Sequence, residues 1–96
     1  MKVIVTDQAD DDLMQIFSYL GAQSSQAAQA VAAKINLSFE NLSSFPLSGS
    51  PRARLGRNVR GIVVPPYLSF YAVRRDHVTI LRVLHGSRDI EAEFHR

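Results

Sequence analysis

Apolar positions near the N-terminus recur at helical spacing, and those near the C-terminus recur at strand spacing. Ala9, Leu13, Ile16, Phe17 and Leu20 follow the i, i+4, i+7, i+8, i+11 stripe of one buried helix face. They predict a helix from about Gln8 to Leu20, with Asp7 as its N-cap and Gly21 as its end. Ser24 or Ser25 opens a second helix reaching about Leu42, whose apolar stripe is Ala28, Val31, Ile35, Phe39 and Leu42. Ala27, Ala28, Ala30, Ala32 and Ala33 keep its early turns thin, so the two helices should form a close antiparallel hairpin. Ahead of them, Lys2-Val3-Ile4-Val5-Thr6 reads as a short strand.

Residues 43–58 carry the Pro, Gly and Ser density of irregular chain, with Phe45 and Leu47 as apolar pins. Three strands should follow. Val59–Val64 stops at Pro65-Pro66, which cannot continue a ladder. Tyr67–Val73 sets Leu68, Phe70 and Ala72 on one face and Tyr67, Ser69, Tyr71 and Val73 on the other. Arg74-Arg75-Asp76-His77 has the length of a hairpin connection, and Val78–Leu84 is apolar on both faces, as in a central strand. Ser87 is placed to cap a short final helix. The order β-α-α-β-β-β plus that helix predicts a single α+β domain over residues 1–96. Its sheet is antiparallel-rich, of about four strands, with the N-terminal helical hairpin on one face. Two helices cover one face only, so the other should expose apolar surface of the kind that meets a partner.

Composition narrows the class. There is no cysteine, which excludes a disulfide framework and a Cys-ligated metal site. No run approaches the roughly 18 apolar residues of a membrane span, and Asp7 falls too early for a signal peptide. A soluble protein of the reducing cytoplasm is the expectation. The net charge of +2 hides an asymmetry: residues 1–48 hold two Lys against five acids, and residues 49–96 hold nine Arg against four. Arg is suited to bidentate contact with phosphate or carboxylate. The second half, with Arg52, Arg54, Arg57 and Arg60 inside nine residues, is therefore either a contact surface or a solubilising one.

Candidate chemistry is sparse. No Gly-rich phosphate loop, Gly-x-Ser-x-Gly or His-Glu-x-x-His motif occurs. Asp10, Asp11 and Asp12 fan out by about 100° each around a helix and cannot converge on one ion; they read as favourable charge at a helix N-terminus. Arg82 interrupts the last strand, on the face of Val78, Ile80 and Leu84 by simple alternation. A guanidinium costs several kcal/mol to bury unpaired, so Arg82 must be paired or open to a ligand. Arg60, Arg82 and His85, on or beside adjacent strands, have the residue types for RNA cleavage: Arg to stabilise developing charge, His for proton transfer. His85 reads equally well as a strand-end histidine bonded to backbone.

Certain residues carry a resemblance to a known family. They are Ala9-x-x-Asp12-Leu13-x-x-Ile16-x-x-Tyr19, Pro46-x-x-Gly49, Leu55-Gly56-x-x-Val59-Arg60 and Tyr71-x-Val73. Above all they include Val78-x-Ile80-Leu81-Arg82-Val83-Leu84-His85-Gly86-x-Arg88-Asp89-Ile90. With these the chain resembles, over nearly its whole length, the RelE/ParE superfamily of bacterial type II toxin–antitoxin toxins, and its ending resembles the ParE-like branch. That branch implies inhibition of DNA gyrase without enzymatic activity. The RelE-like branch implies ribosome-dependent mRNA cleavage by basic residues with a late Tyr or His. The chain lacks the lysine-rich loop of the nuclease branch and any tyrosine beyond Tyr71, which favours the gyrase reading; a non-toxic antitoxin-binding relative is the third. All three imply a cognate ParD-like antitoxin with an acidic or amphipathic segment, and no cofactor. Arg52, Arg54, Arg57, Arg60, Tyr71, Arg82, His85 and Arg88 are the expected contacts to target or antitoxin.

Overall fold

The structure, a computed structural model, describes residues 1–96. Strand β1 (Lys2–Val5) leads into helices α1 (Asp7–Gln23) and α2 (Ser25–Ser44). There follow β2 (Ser50–Pro51), a 3-10 turn (Ala53–Leu55), β3 (Val59–Val64), β4 (Tyr67–Val73), β5 (His77–His85) and α3 (Ile90–Phe94). The sheet has the order β1-β5-β4-β3-β2, parallel between β1 and β5 and antiparallel elsewhere. Neither α1 nor α2 is long and apolar enough to cross a membrane.

The helix limits differ from their sequence pattern for local reasons. Thr6, not Asp7, caps α1: its Oγ1 accepts from the Ala9 amide at 3.1 Å and also donates to the Leu81 carbonyl. Gly21 does not stop α1, which runs on until Ser24, whose side chain caps α2. A Cβ added at Gly21 meets open space. Gly21→Ala should therefore raise stability by about 0.5–1 kcal/mol, read as a higher urea midpoint at unchanged slope. The third helix is capped by Asp89, not Ser87. The stretch read as irregular contains β2, which adds a fifth strand beside β3.

Two clusters fill the interior. Ala9, Ile35, Phe39 and Leu42 of the hairpin meet Tyr67, Tyr71, Val78, Ile80 and Val83 of the sheet. On the other face Leu55, Val59, Phe70 and Leu84 are buried together, with Leu68, Leu81, Ile90 and Phe94 against them. The expected open apolar face is therefore covered over its centre, while Val63 toward the β3 edge stays exposed. The 3-10 turn and α3 fold across it, and Phe94 sits edge-on to Phe70 at 5.9 Å.

A bulge in β5 corrects the expected facing of Arg82. Tyr71 pairs with Ile80 and Phe70 with Arg82, so Leu81 is the extra residue. Alternation is broken there, and Val83 takes the helix-side core position beside Ile80. Arg82 falls beyond the end of β1, where α1 and α3 flank the strand.

Candidate functional site

Arg82 is buried and fully engaged. Its Nε and Nη2 donate to the two carboxylate oxygens of Asp12 at 2.8 and 3.0 Å, and its Nη1 donates to the Glu93 carbonyl of α3. The same Asp12 Oδ2 accepts from the Val83 amide at 2.9 Å, an amide left without a ladder partner where β1 has ended. The hydrogen bonds to Asp12 hold the guanidinium pKa above its ordinary value, against the opposing effect of burial. One ion pair thus ties α1, β5 and α3 together. Fork-to-fork geometry of this kind is what Arg supplies and Lys does not.

Arg60 is also engaged with the fold. Its Nη1 donates to the carbonyls of Leu47 and Gly49, at 3.2 and 2.7 Å. Tyr71 braces the same loop from inside: its hydroxyl donates to the Pro46 carbonyl at 2.8 Å and accepts from the Gly49 amide at 2.9 Å. Tyr71 is fully enclosed and has no surface to offer a partner. The Pro46-x-x-Gly49 motif is the other half of this arrangement. A Cβ on residue 49 would lie 2.5 Å from the Tyr71 hydroxyl and 2.8 Å from the Gly61 carbonyl.

His85 lies at the end of β5, exposed, edge-on to Tyr67 at 5.6 Å. Its Nδ1 accepts from the Ser87 amide at 3.0 Å and lies 2.7 Å from the Ser87 hydroxyl, so the ring organises the turn into α3. The structure does not bring Arg60, Arg82 and His85 together. Arg60 pairs opposite Tyr71 and Arg82 opposite Phe70, neighbours on β4 that point to opposite faces of the sheet. His85 is three residues further along β5, opposite Tyr67.

The remaining arginines are on the surface. Arg52 reaches over the Phe70 ring, 5.8 Å from its centroid. Arg54 and Arg88 make exposed ion pairs with Glu91 and Glu93, at 3.5 and 3.4 Å, of the kind worth about 0–1 kcal/mol. Arg57 makes no ion pair; with Leu47, Val59, Arg60 and Val73 it lines an open cavity of about 550 Å³ beside β3.

Two features of the site escaped the sequence pattern. Asp12 follows Asp10 and Asp11 in a run that reads as helix-terminal charge, yet its spacing sets it apart. Ala9, Asp12, Leu13 and Ile16 stand at i, i+3, i+4 and i+7, so Asp12 occupies a slot in the buried stripe. An acid there and an Arg in an apolar strand are two halves of one requirement. The second feature is the set of cations at the end of the sheet, Lys2, Arg74 and Arg75, which only the strand register brings side by side.

Comparison with known proteins agrees with this architecture. The family model described as the ParE toxin of the type II toxin–antitoxin system parDE matches residues 3–90. Among curated proteins, Toxin RelE2 of Caulobacter vibrioides is 33% identical over 87 residues, spanning 91% of this chain and 97% of that protein. Toxin ParE3 of the same organism is 30% identical over 93 residues, spanning 96% and 93%. A chain of the solved chromosomal ParDE toxin–antitoxin system from P. aeruginosa superposes with a TM-score of 0.75 at 20% identity, over 88% of this chain and 95% of that one. The chain belongs to the ParE toxin family of type II toxin–antitoxin systems.

Proposed function

We propose that this toxin acts in the cytoplasm by binding DNA gyrase stoichiometrically, and that a cognate ParD-like antitoxin neutralises it through an acidic, amphipathic segment. The observation that carries the reading is the structural employment of Arg60, Arg82 and His85. Arg82 is spent on Asp12 and Glu93, Arg60 on the carbonyls of the 46–49 loop, and His85 Nδ1 on Ser87. A nuclease needs such groups converging on one phosphate, with the base within hydrogen-bond reach of the proton it takes. Residues held apart as braces favour an inhibitor that works through its surface. A partner segment that orders on binding suits a small toxin whose free cations lie on its exterior.

The second reading, ribosome-dependent mRNA cleavage, draws its support from the similarity to Toxin RelE2. Expression without the antitoxin separates the two. Pulse labelling should show DNA synthesis failing first, with protein synthesis sustained. Protein synthesis failing first would favour the nuclease, and unaffected growth would favour a non-toxic antitoxin-binding relative; either result overturns the gyrase reading.

A further inference from the structure

The strand register assembles a cationic surface that no motif in the sequence announces. Lys2 pairs with His77, and the Arg74 amide donates to the His77 carbonyl at 2.8 Å, so Lys2, His77 and Arg74 form a row across one end of the sheet. Arg75 lies in the adjoining turn. Arg57 precedes β3 at the same end, since Val59 pairs with Ala72. Lys2, Arg57, Arg74 and Arg75 are all exposed, and none makes an ion pair. Against these four cations the strand ends carry one carboxylate, Asp76, which His77 already holds at 2.7 Å. Along α2 the one acid is Glu40, a turn before Ser43.

The same end also carries unpartnered apolar surface. The N-terminal amine donates to the Ser43 carbonyl at 2.8 Å, which seats the C-terminus of α2 beside the start of β1. The loop that follows presents Phe45 and Leu47 at 67% and 63% exposure. Leu47 then forms one wall of the cavity of about 550 Å³, facing Val59, Val73, Arg57 and Arg60. The loop is not free to bury these side chains by collapsing, because Tyr71 and Arg60 hold its backbone in place. A rigid loop that exposes two large apolar side chains beside four free cations is complementary to one chemistry: apolar anchors flanked by carboxylates. A nucleic-acid backbone would satisfy the cations but leave the exposed Phe45 and Leu47 side chains without a partner.

We propose that this surface, formed by the 45–47 loop, the cavity beside β3 and the cations Lys2, Arg57, Arg74 and Arg75, is the docking site for an acidic, apolar-anchored segment of the cognate antitoxin. An apolar side chain of the segment sits among Leu47, Val59 and Val73, and its carboxylates meet Arg57, Arg74 and Arg75. The assignment rests on the antitoxin partnership proposed above and goes beyond it in naming the surface.

The test is hydrogen exchange on the co-purified toxin–antitoxin complex against the free toxin, joined to a charge-reversal variant. Slowed exchange is expected at residues 45–49, 57–60 and 73–77. The double variant Arg57→Glu, Arg74→Glu, which removes no side-chain hydrogen bond or ion pair, should keep its melting temperature and bind the antitoxin at least tenfold more weakly. If the complex forms but those segments exchange as in the free toxin, or if the variant binds within twofold of the parent, the docking site is wrong while the partnership stands. Failure of any complex to form removes the partnership itself and the docking site with it. Two further results would give the surface to another occupant and overturn the assignment: concentration-dependent protection in free toxin, marking a second copy, or retention of a duplex DNA oligonucleotide that the same variant abolishes.

Discussion

Replacing Asp12 with alanine should cost the fold about 3–5 kcal/mol, the penalty for leaving a buried charge without its partner. Both side chains are close to fully enclosed, at 9% exposure for Arg82 and 11% for Asp12. The loss is wider than one ion pair. The Val83 amide also loses its acceptor, and α1 loses its link to β5 at the point where β1 no longer supports it. Domains of this size are stable by roughly 5–15 kcal/mol, so the variant should melt more than about 10 °C below the parent or fail to accumulate. Replacing both partners with apolar residues of similar volume, Asp12→Leu with Arg82→Met, should recover much of the loss, because no charge then remains buried. A double variant that folds and is still toxic would show that Arg82 serves the scaffold. Thermal and urea denaturation of the three proteins measure these differences directly.

Gly49→Ala should have the second large effect. The added methyl would enter the space of the Tyr71 hydroxyl and the Gly61 carbonyl, both closer than real Cβ contacts allow. Backbone on one side and a fully enclosed tyrosine on the other leave nothing flexible to yield. The 46–49 loop must then move, and it takes with it the two hydrogen bonds of Tyr71 and the two of Arg60. A buried group left without its partner costs about 1–3 kcal/mol, so a loss of at least about 2 kcal/mol is expected. It should appear as a lowered urea midpoint together with faster amide exchange confined to residues 45–61. Gly21→Ala is the internal contrast: the same chemical change, with the opposite sign, where no neighbour stands in the way.

The elements that follow from periodicity were legible in the chain. The helical stripes of Ala9–Leu20 and Ala28–Leu42 did mark one buried face, and the alternation in Tyr67–Val73 placed Tyr71 and Phe70 on the correct opposite sides. What alternation does not encode is a break in itself. The bulge at Leu81 turns the facing of Arg82, and nothing in Val78–Leu84 marks it, because the stretch holds no Gly or Pro of the kind that signals a bulge. The closure of the second face depends on residues 53–55 and 90–94 folding across the sheet. Such short segments carry no period of their own, and tertiary packing decides them. The candidate site was readable as a list of residue types and unreadable as geometry. Arg60, Tyr71, Arg82 and His85 are polar groups of the motifs that carry the family resemblance, and each is used to hold the chain together. The free cations instead sit at strand ends, and three of the four fall outside the arginine-rich stretch of 52–60.

This division of labour, structural braces on one hand and free surface charge on the other, supports the proposed activity, inhibition of a protein target through surface contact. The most direct measurement is DNA supercoiling by purified gyrase titrated with the purified toxin. Supercoiling should fall as toxin approaches the gyrase concentration and return when the cognate antitoxin is added. Supercoiling unchanged with toxin in large excess would contradict the account.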